Sequence, residues 1–280
     1  MISRLRSELV VCGLLSGVVA LFGIAIAVSL PNLGREPLPE RLSELIPYVR
    51  EAFLVVPILT GIIVGTSLTA AEFDVGTSVF VWSIAANRTR WFLETAGVGL
   101  MLVAVCWAPI GIAEHILSQR LGPQLDAQLS PMGLDSSAML MLSRALLTFA
   151  VVCVIGMVSG RTIPTVLLGA IASILLLAVL ETAFFAWRDV QVEPVDPTLA
   201  GTLPVGSRVA TLDGRLVGDQ EARSALSLEE TQFVDRYEWV LVGLSPVAHA
   251  ETDAEEFAVF GAATLTLLAL TSRIAESRRP

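Results

Sequence analysis

The chain has 280 residues, 54% of them hydrophobic and 16% charged, with a formal net charge of −9 at pH 7 and a mean hydropathy of +0.72. This is too apolar for a soluble domain of that size, and apolar runs of about 20 residues recur, each long enough to span roughly 30 Å as a helix. The runs are continuous rather than alternating, which excludes a transmembrane barrel and leaves an all-α polytopic membrane protein.

Every basic residue is arginine; there is no lysine. That removes the phosphate-binding lysine of a P-loop and the amine of a Schiff-base enzyme. No G-x-S-x-G, no H-E-x-x-H and no paired aspartates fall within the spans, so no catalytic residue is nominated. Cys12, Cys106 and Cys153 sit in apolar runs at unrelated spacings and read as packing residues. His115 and His249 have no partner at metal-ligand spacing, so no metal site is expected. No nucleic-acid partner is expected either.

Six spans are predicted, near 9–30, 53–71, 93–116, 138–158, 163–186 and 256–273. Arg4 and Arg6 precede the first, whose length and lack of an A-x-A-like site favour an uncleaved span over a signal peptide. Next, "PLPERLSELIPYVRE" places Leu42, Leu45, Ile46 and Val49 on one helical face, with Glu40, Glu44 and Arg50 elsewhere. It predicts an interfacial helix over 39–51, kinked at Ile46-Pro47, with its apolar stripe on lipid or the bundle.

After span two, "TAAEFDVGTSVFVWSIAANRTRWF" predicts a second short helix over 74–87 with Asp74 as its N-cap. Phe73, Phe80 and Ile84 share one side; Val75, Val79, Trp82 and Ala86 share nearly the opposite one. Two apolar sides imply two contacts, the bundle or lipid on one and a partner protein on the other. Arg88, Arg90 and Trp91 mark re-entry at the headgroup layer, and Glu94 stands four residues after Arg90 as an ion-pair partner.

Ionisable groups within spans are functional candidates. Glu114 and His115 near the end of span three, Arg144 in span four and Glu181 in span five fall at a comparable depth. Arg144 needs a partner there, either Glu181 or Glu114. A structural ion pair, a substrate or gate role, and snorkelling to the interface are the readings open for this cluster. Between spans five and six, residues 187–255 form an acidic segment long enough for a small domain, and "RVATLDGRLV" within it reads as a hairpin around Asp213-Gly214. Its acidic clusters, including Glu251 to Glu256, read as solvated surface. Gly13 and Gly17, Gly61 and Gly65, and Gly156 and Gly160 form G-x-x-x-G pairs that permit close helix contact.

Arginine density orients the chain. With both termini inside, the short inner segments carry Arg4, Arg6, Arg88, Arg90, Arg161, Arg273, Arg278 and Arg279, while the outer arginines are dispersed among acids. The fold expected is therefore six transmembrane helices with cytoplasmic termini, in units of 1–186 (five spans), 187–255 (extracytoplasmic) and 256–280 (span six and tail).

"AEFDVGTSVFVWSIAANRTRW", Ala71 to Trp91, resembles the signature of membrane subunits of ABC transporters of the actinobacterial type-two permease kind. Glu72, Asp74, Gly76, Thr77, Trp82, Arg88, Arg90 and Trp91 fall on that pattern without a gap. "GMVSGRTIPTVLLGAIAS", Gly156 to Ser173, is similar to the family's inner loop between spans four and five, where a basic residue, here Arg161, and T-x-P follow a glycine pair. The chain departs from the pattern at Ala71, Val79, Ile84 and Thr95, each change removing polarity. The resemblance implies that 74–87 is a coupling helix docked on a cytoplasmic ATPase subunit, with Phe80 and Trp82 as anchors and Arg88 and Arg90 fixing its base. It also implies a bacterial cytoplasmic-membrane location, a second permease copy or a related permease as partner, and lipid around the bundle. ATP and magnesium would reside in the ATPase, with no cofactor in this chain. The expected activity is ATP-driven export of an amphipathic substrate such as a drug-like metabolite, peptide or lipid. The alternatives are a secondary transporter with a charge relay through Glu114, Arg144 and Glu181, and a non-transporting scaffold or sensor.

Overall fold

The computed structural model describes residues 2–29, 40–74, 88–128, 138–190, 193–194, 203–212, 216–217 and 237–277. In chain order they form α1 (Ile2–Ser29), α2 (Glu40–Leu68), α3 (Ala70–Asp74), α4 (Arg88–Gln128), α5 (Ala138–Ser159), α6 (Thr162–Val190), β1 (Glu193–Pro194), β2 (Leu203–Thr211), β3 (Tyr237–Leu244) and α7 (Pro246–Ser277). Six segments, with α2 and α3 counted together, are long and apolar enough to cross a membrane, in agreement with the six expected spans. Because each crossing reverses the chain, Arg88, Arg90, Arg161 and Arg273 gather at one end of the bundle, the arginine-rich end. The strands lie at the other, the sheet end. The helix expected over 74–87 lies, beyond Asp74, outside the described residues.

Helix α5 is the hub. Its membrane window is 67% buried, against 22% for α6, and it is packed on by α2, α4, α6 and α7. Glycine sets the α2–α5 spacing: a Cβ on Gly61 would stand 2.6 Å from the Ala145 carbonyl oxygen, and one on Gly65 3.0 Å from that of Phe149. Gly156 of α5 is likewise pressed against the Thr69 hydroxyl at the end of α2. Backbones that approach this closely gain the dispersion contacts that hold helices together in lipid, where no hydrophobic force acts between them. The Gly13 and Gly17 pair in α1 is different, since a Cβ at either meets nothing within 4 Å. Gly160, expected as a packing glycine, takes φ 62° instead. Its amide donates to the Gly156 carbonyl at 2.9 Å, closing the C-terminus of α5 in the left-handed conformation that glycine adopts without strain.

Three elements differ from expectation. The interfacial helix of 39–51 is not separate; it forms the first turns of α2, which runs through both Pro47 and Pro57. The cause is packing. Ile46 and Val49 are buried with Ile110, Ala113, Leu117 and Leu121 of α4 in one cluster, so the stripe meets a helix rather than a lipid surface. For the same reason α4 continues past the expected end of span three, for 41 residues in all. At 1.5 Å per residue that is roughly 60 Å, about twice the hydrocarbon thickness. Finally, α7 starts at Pro246, well before 256, so the acidic run Glu251–Glu256 is helical. Helical periodicity sorts it: Glu251 and Glu255 face outward, whereas Thr252 and Glu256 are buried. The reading of that whole run as solvated surface is thereby corrected.

At the sheet end, β1, β3 and β2 pair antiparallel in that order, with an irregularity between Pro204 and Gly206. The chain after β2 folds back, as the hairpin reading expects: Ala210 bridges Leu216, and the Val217 amide donates to the Val209 carbonyl at 3.1 Å. Val209 and Val217 pack with Tyr237 as a small core, and β2 lies against α4.

The two kinds of glycine separate by substitution. Gly61→Val should destabilise the bundle by about 1–3 kcal/mol or prevent its assembly, because Ala145 backbone cannot yield to the new methyl groups. Gly13→Val should leave the melting temperature of the detergent-purified chain unchanged, as read by fluorescence-detected thermal unfolding.

Candidate functional site

Two regions concentrate polar chemistry in an otherwise apolar bundle. The first is at the arginine-rich end, where α3 continues α2 toward residue 75. Ala70 and Ala71 are buried, and α3 rests on both α5 and α6. Asp74, expected to cap the following helix, directs Oδ2 to the backbone amide of Thr162 at 3.3 Å. It thus serves the N-terminus of α6, 88 residues further along the chain, while the helix it was expected to cap lies outside the described residues. The α5–α6 turn presents that amide: Thr165 donates its N–H and its hydroxyl to the Arg161 carbonyl, and its Oγ1 lies 2.5 Å from Ser159 Oγ. Arg161 itself is exposed. Glu72 is half-buried, Arg88 and Trp91 are half-buried, and Arg90 is exposed and pairs with Glu94 at 2.9 Å as its spacing predicts. Gly76, Thr77, Phe80 and Trp82 lie outside the described residues.

The second region is buried in the sheet-end half. Arg144 of α5 donates Nε to Glu181 of α6 at 2.5 Å and Nη2 to Glu256 of α7 at 3.3 Å. Glu256 also accepts from Arg188 of α6, Nη2 to Oε2, at 2.6 Å. One carboxylate therefore bridges two guanidinium groups, an oxygen to each. Asp253 lies 3.6 Å from Arg188 and 3.7 Å from His249 Nε2, extending the cluster toward the surface. Of the two carboxylates expected for Arg144, the structure brings it Glu181. Glu114 pairs instead with Arg50 of α2 at 3.3 Å, and Ser118 bridges the two, accepting from Arg50 and donating to Glu114 at 3.1 Å. His115 points outward to Gln119.

Sequence reading missed Arg50, Arg188, Asp253 and Glu256. Helical register contained the signal for three of them. Arg50 stands at i+4 from buried Ile46, Arg188 at i+4 from Phe184, and Glu256 at i−4 from buried Phe260. Each therefore lies on an inward stripe despite its charge. A buried carboxylate and guanidinium each lose several kcal/mol of hydration, which mutual pairing and hydrogen bonds must offset. The clusters consequently fix which helices are neighbours: α2 with α4, and α5 with α6 and α7. Among the described residues no group of three or more potential ligands is placed to hold a metal ion, and Cys12, Cys106 and Cys153 are buried in three different helices.

Removing one member of the larger cluster leaves charges stranded. Arg144→Ala should cost about 3–5 kcal/mol of bundle stability, whereas Arg90→Ala, which opens an exposed pair, should cost no more than about 0.5 kcal/mol. Thermal unfolding of both purified variants checks the contrast.

The geometry above agrees with what a comparison with protein families finds. The family described as ABC-2 membrane transporter related matches residues 33–185, more than half of the chain and all of the 69–92 stretch. No curated protein and no solved structure matches. Members of this family are transmembrane components, not themselves catalytic, that generally work with a cytoplasmic ATPase, usually in the bacterial cytoplasmic membrane. With six membrane-spanning helices and the family match in agreement, the chain belongs to the ABC-2 membrane transporter related family and is a multi-pass transporter permease subunit.

Proposed function

We propose that this permease is the membrane subunit of an ATP-driven exporter, coupled through residues 74–87 to a cytoplasmic ATPase subunit. The observation that carries the reading is the family match over 33–185, which contains the whole of that stretch together with Arg88, Arg90, Trp91 and Arg161. The gathering of Arg88, Arg90, Arg161 and Arg273 supports a cytoplasmic arginine-rich end, and with it an extracytoplasmic sheet. A connector with two apolar sides, anchored by Arg88 and Arg90 at that end, suits a lever held by a partner protein. Phe80 and Trp82 are its apolar anchors, and Glu72, Asp74, Gly76 and Thr77 shape its base.

The assembly contains two ATPases and two permease copies, either two of this chain or this chain with a related permease. The cargo is amphipathic, and an apolar groove of about 410 Å³ between α1 and α4, lined by Gly17, Ala20, Leu21, Val105, Ala108 and Ile112, supports entry from the bilayer. The buried cluster around Arg144 closes the sheet end, as a structural latch that must open or be bypassed for cargo to leave. The residues nominated for a charge relay are divided, with Glu181 on Arg144 and Glu114 on Arg50, which weighs against gradient-driven transport.

Purification of the tagged chain from its native membrane should bring down a P-loop ATPase with measurable ATP hydrolysis. Phe80→Ala with Trp82→Ala should reduce that recovery by tenfold or more, about what two lost anchors imply. A well-folded chain that brings down no ATPase would sink the reading.

A further inference from the structure

Gly13 and Gly17 have the spacing that brings helices together, yet a Cβ at either meets nothing within 4 Å. Glycine inside a helix is less favourable than alanine by about 1 kcal/mol, a cost that close packing offsets at Gly61 and Gly65. At Gly17 the space stays open. It belongs to the groove of about 410 Å³ between α1 and α4, where Ala20 and Ile24 face Val105, Ala108 and Ile112. Every residue lining that groove is apolar.

Above the groove the chemistry changes. Helical periodicity continues the α4 line of Val105, Ala108 and Ile112 to His115, Gln119 and Arg120, all three exposed. Gln119 Nε2 lies 3.0 Å from His115 Nε2, and Arg120 forms no ion pair among the described residues. Depth agrees with this division. Ile112 stands 18 residues beyond Glu94, which is exposed at the arginine-rich end. That is roughly 27 Å along the helix, close to the hydrocarbon thickness. The groove therefore lies in the sheet-end half of the bilayer, and the polar groups stand at its headgroup level.

We propose that this seam binds one phospholipid of the sheet-end leaflet, with an acyl chain in the groove and the phosphate on Arg120 and Gln119. An unfilled groove forfeits dispersion contacts, and a flexible chain fills a shape that no side chain of the bundle reaches. The guanidinium is always charged and presents its N–H donors in a fork that matches phosphate. A second helix laid on the seam would answer the apolar part and leave those donors unused. The inference goes beyond the exporter reading and does not depend on it; an amphipathic cargo entering by this groove would have to displace the lipid.

The test uses the full chain, purified in mild detergent and washed free of lipid. It is titrated with dioleoylphosphatidylglycerol, with dioleoylglycerol, which has the same chains without phosphate, and with glycerol phosphate, the head without chains. Native mass spectrometry counts what is bound. One phosphatidylglycerol should bind per chain ahead of any others, about tenfold more tightly than dioleoylglycerol, as one charge-assisted hydrogen bond implies. Glycerol phosphate should not bind measurably.

Gly17→Leu grows into open space and should unfold at no lower temperature than the unaltered chain. It should weaken phosphatidylglycerol binding about tenfold or more, because its side chain takes the place of the acyl chain. Gly13→Leu, one turn away and outside the groove, should leave binding unchanged. Arg120→Ala should cost about tenfold for phosphatidylglycerol and nothing for dioleoylglycerol. Being exposed, it carries the test alone if Gly17→Leu does not fold. Equal affinity for the two lipids, no saturable first lipid, or equal losses in Gly13→Leu and Gly17→Leu overturns the inference. So does glycerol phosphate binding as tightly as the lipid, which would leave only a surface anion site. A lipid-free dimer that Gly17→Leu dissociates would assign the seam to a second copy and overturn it as well.

Discussion

Arg144 places a guanidinium group about two turns into α5, an otherwise largely apolar helix. In a bilayer such a group is tolerated only with carboxylates at hand. The partners come from two different helices, Glu181 of α6 and Glu256 of α7, and Glu256 is in turn shared with Arg188. The requirement to neutralise one buried arginine therefore dictates that α5, α6 and α7 converge at the sheet end. The glycines at 61, 65 and 156 then fix how closely α2 can approach α5. Charge sets which helices are neighbours there, and small residues set how near they come.

The two ends of the bundle are held differently. At the sheet end the ties are buried ion pairs, strong because water is excluded and costly to break singly. At the arginine-rich end they are exposed or half-buried: a carboxylate on a helix N-terminus, an Arg90–Glu94 pair open to solvent, and a turn closed by Gly160. Contacts of the second kind exchange more easily with water or with another protein. On the exporter reading proposed above, that asymmetry would put an adaptable surface where force enters and a resistant closure where leakage must be prevented.

Much of this was legible in the sequence because lipid imposes simple rules. Long apolar runs located all six membrane helices, helical spacing gave the Arg90–Glu94 pair, and depth in the membrane brought Arg144 to Glu181. What escaped did so for two physical reasons. Hydropathy ends a span at the first charges, so Arg50, in the turns ahead of span two, reads as outside the bundle and Glu256, at the first residue of span six, reads with the solvated acidic run, although both are fully buried. Their charges are neutralised by residues 112 and 64 positions away, Arg144 and Glu114, a pairing no local pattern encodes. Asp74 is the second kind. Its contact with Thr162, 88 positions away, depends on the α5–α6 turn folding beside it, which no local pattern encodes.

The most direct test of ATP coupling is to ask what residue 82 touches in the native membrane. A photo-crosslinking amino acid would replace Trp82, with a second chain carrying it at Leu212, at the exposed sheet-end tip of β2, as the comparison. The expected result is a crosslink from position 82 to a P-loop ATPase, identified by mass spectrometry, and none to it from position 212. A crosslink from 82 to lipid alone, or to an ATPase from 212 instead, would contradict coupling through the arginine-rich end.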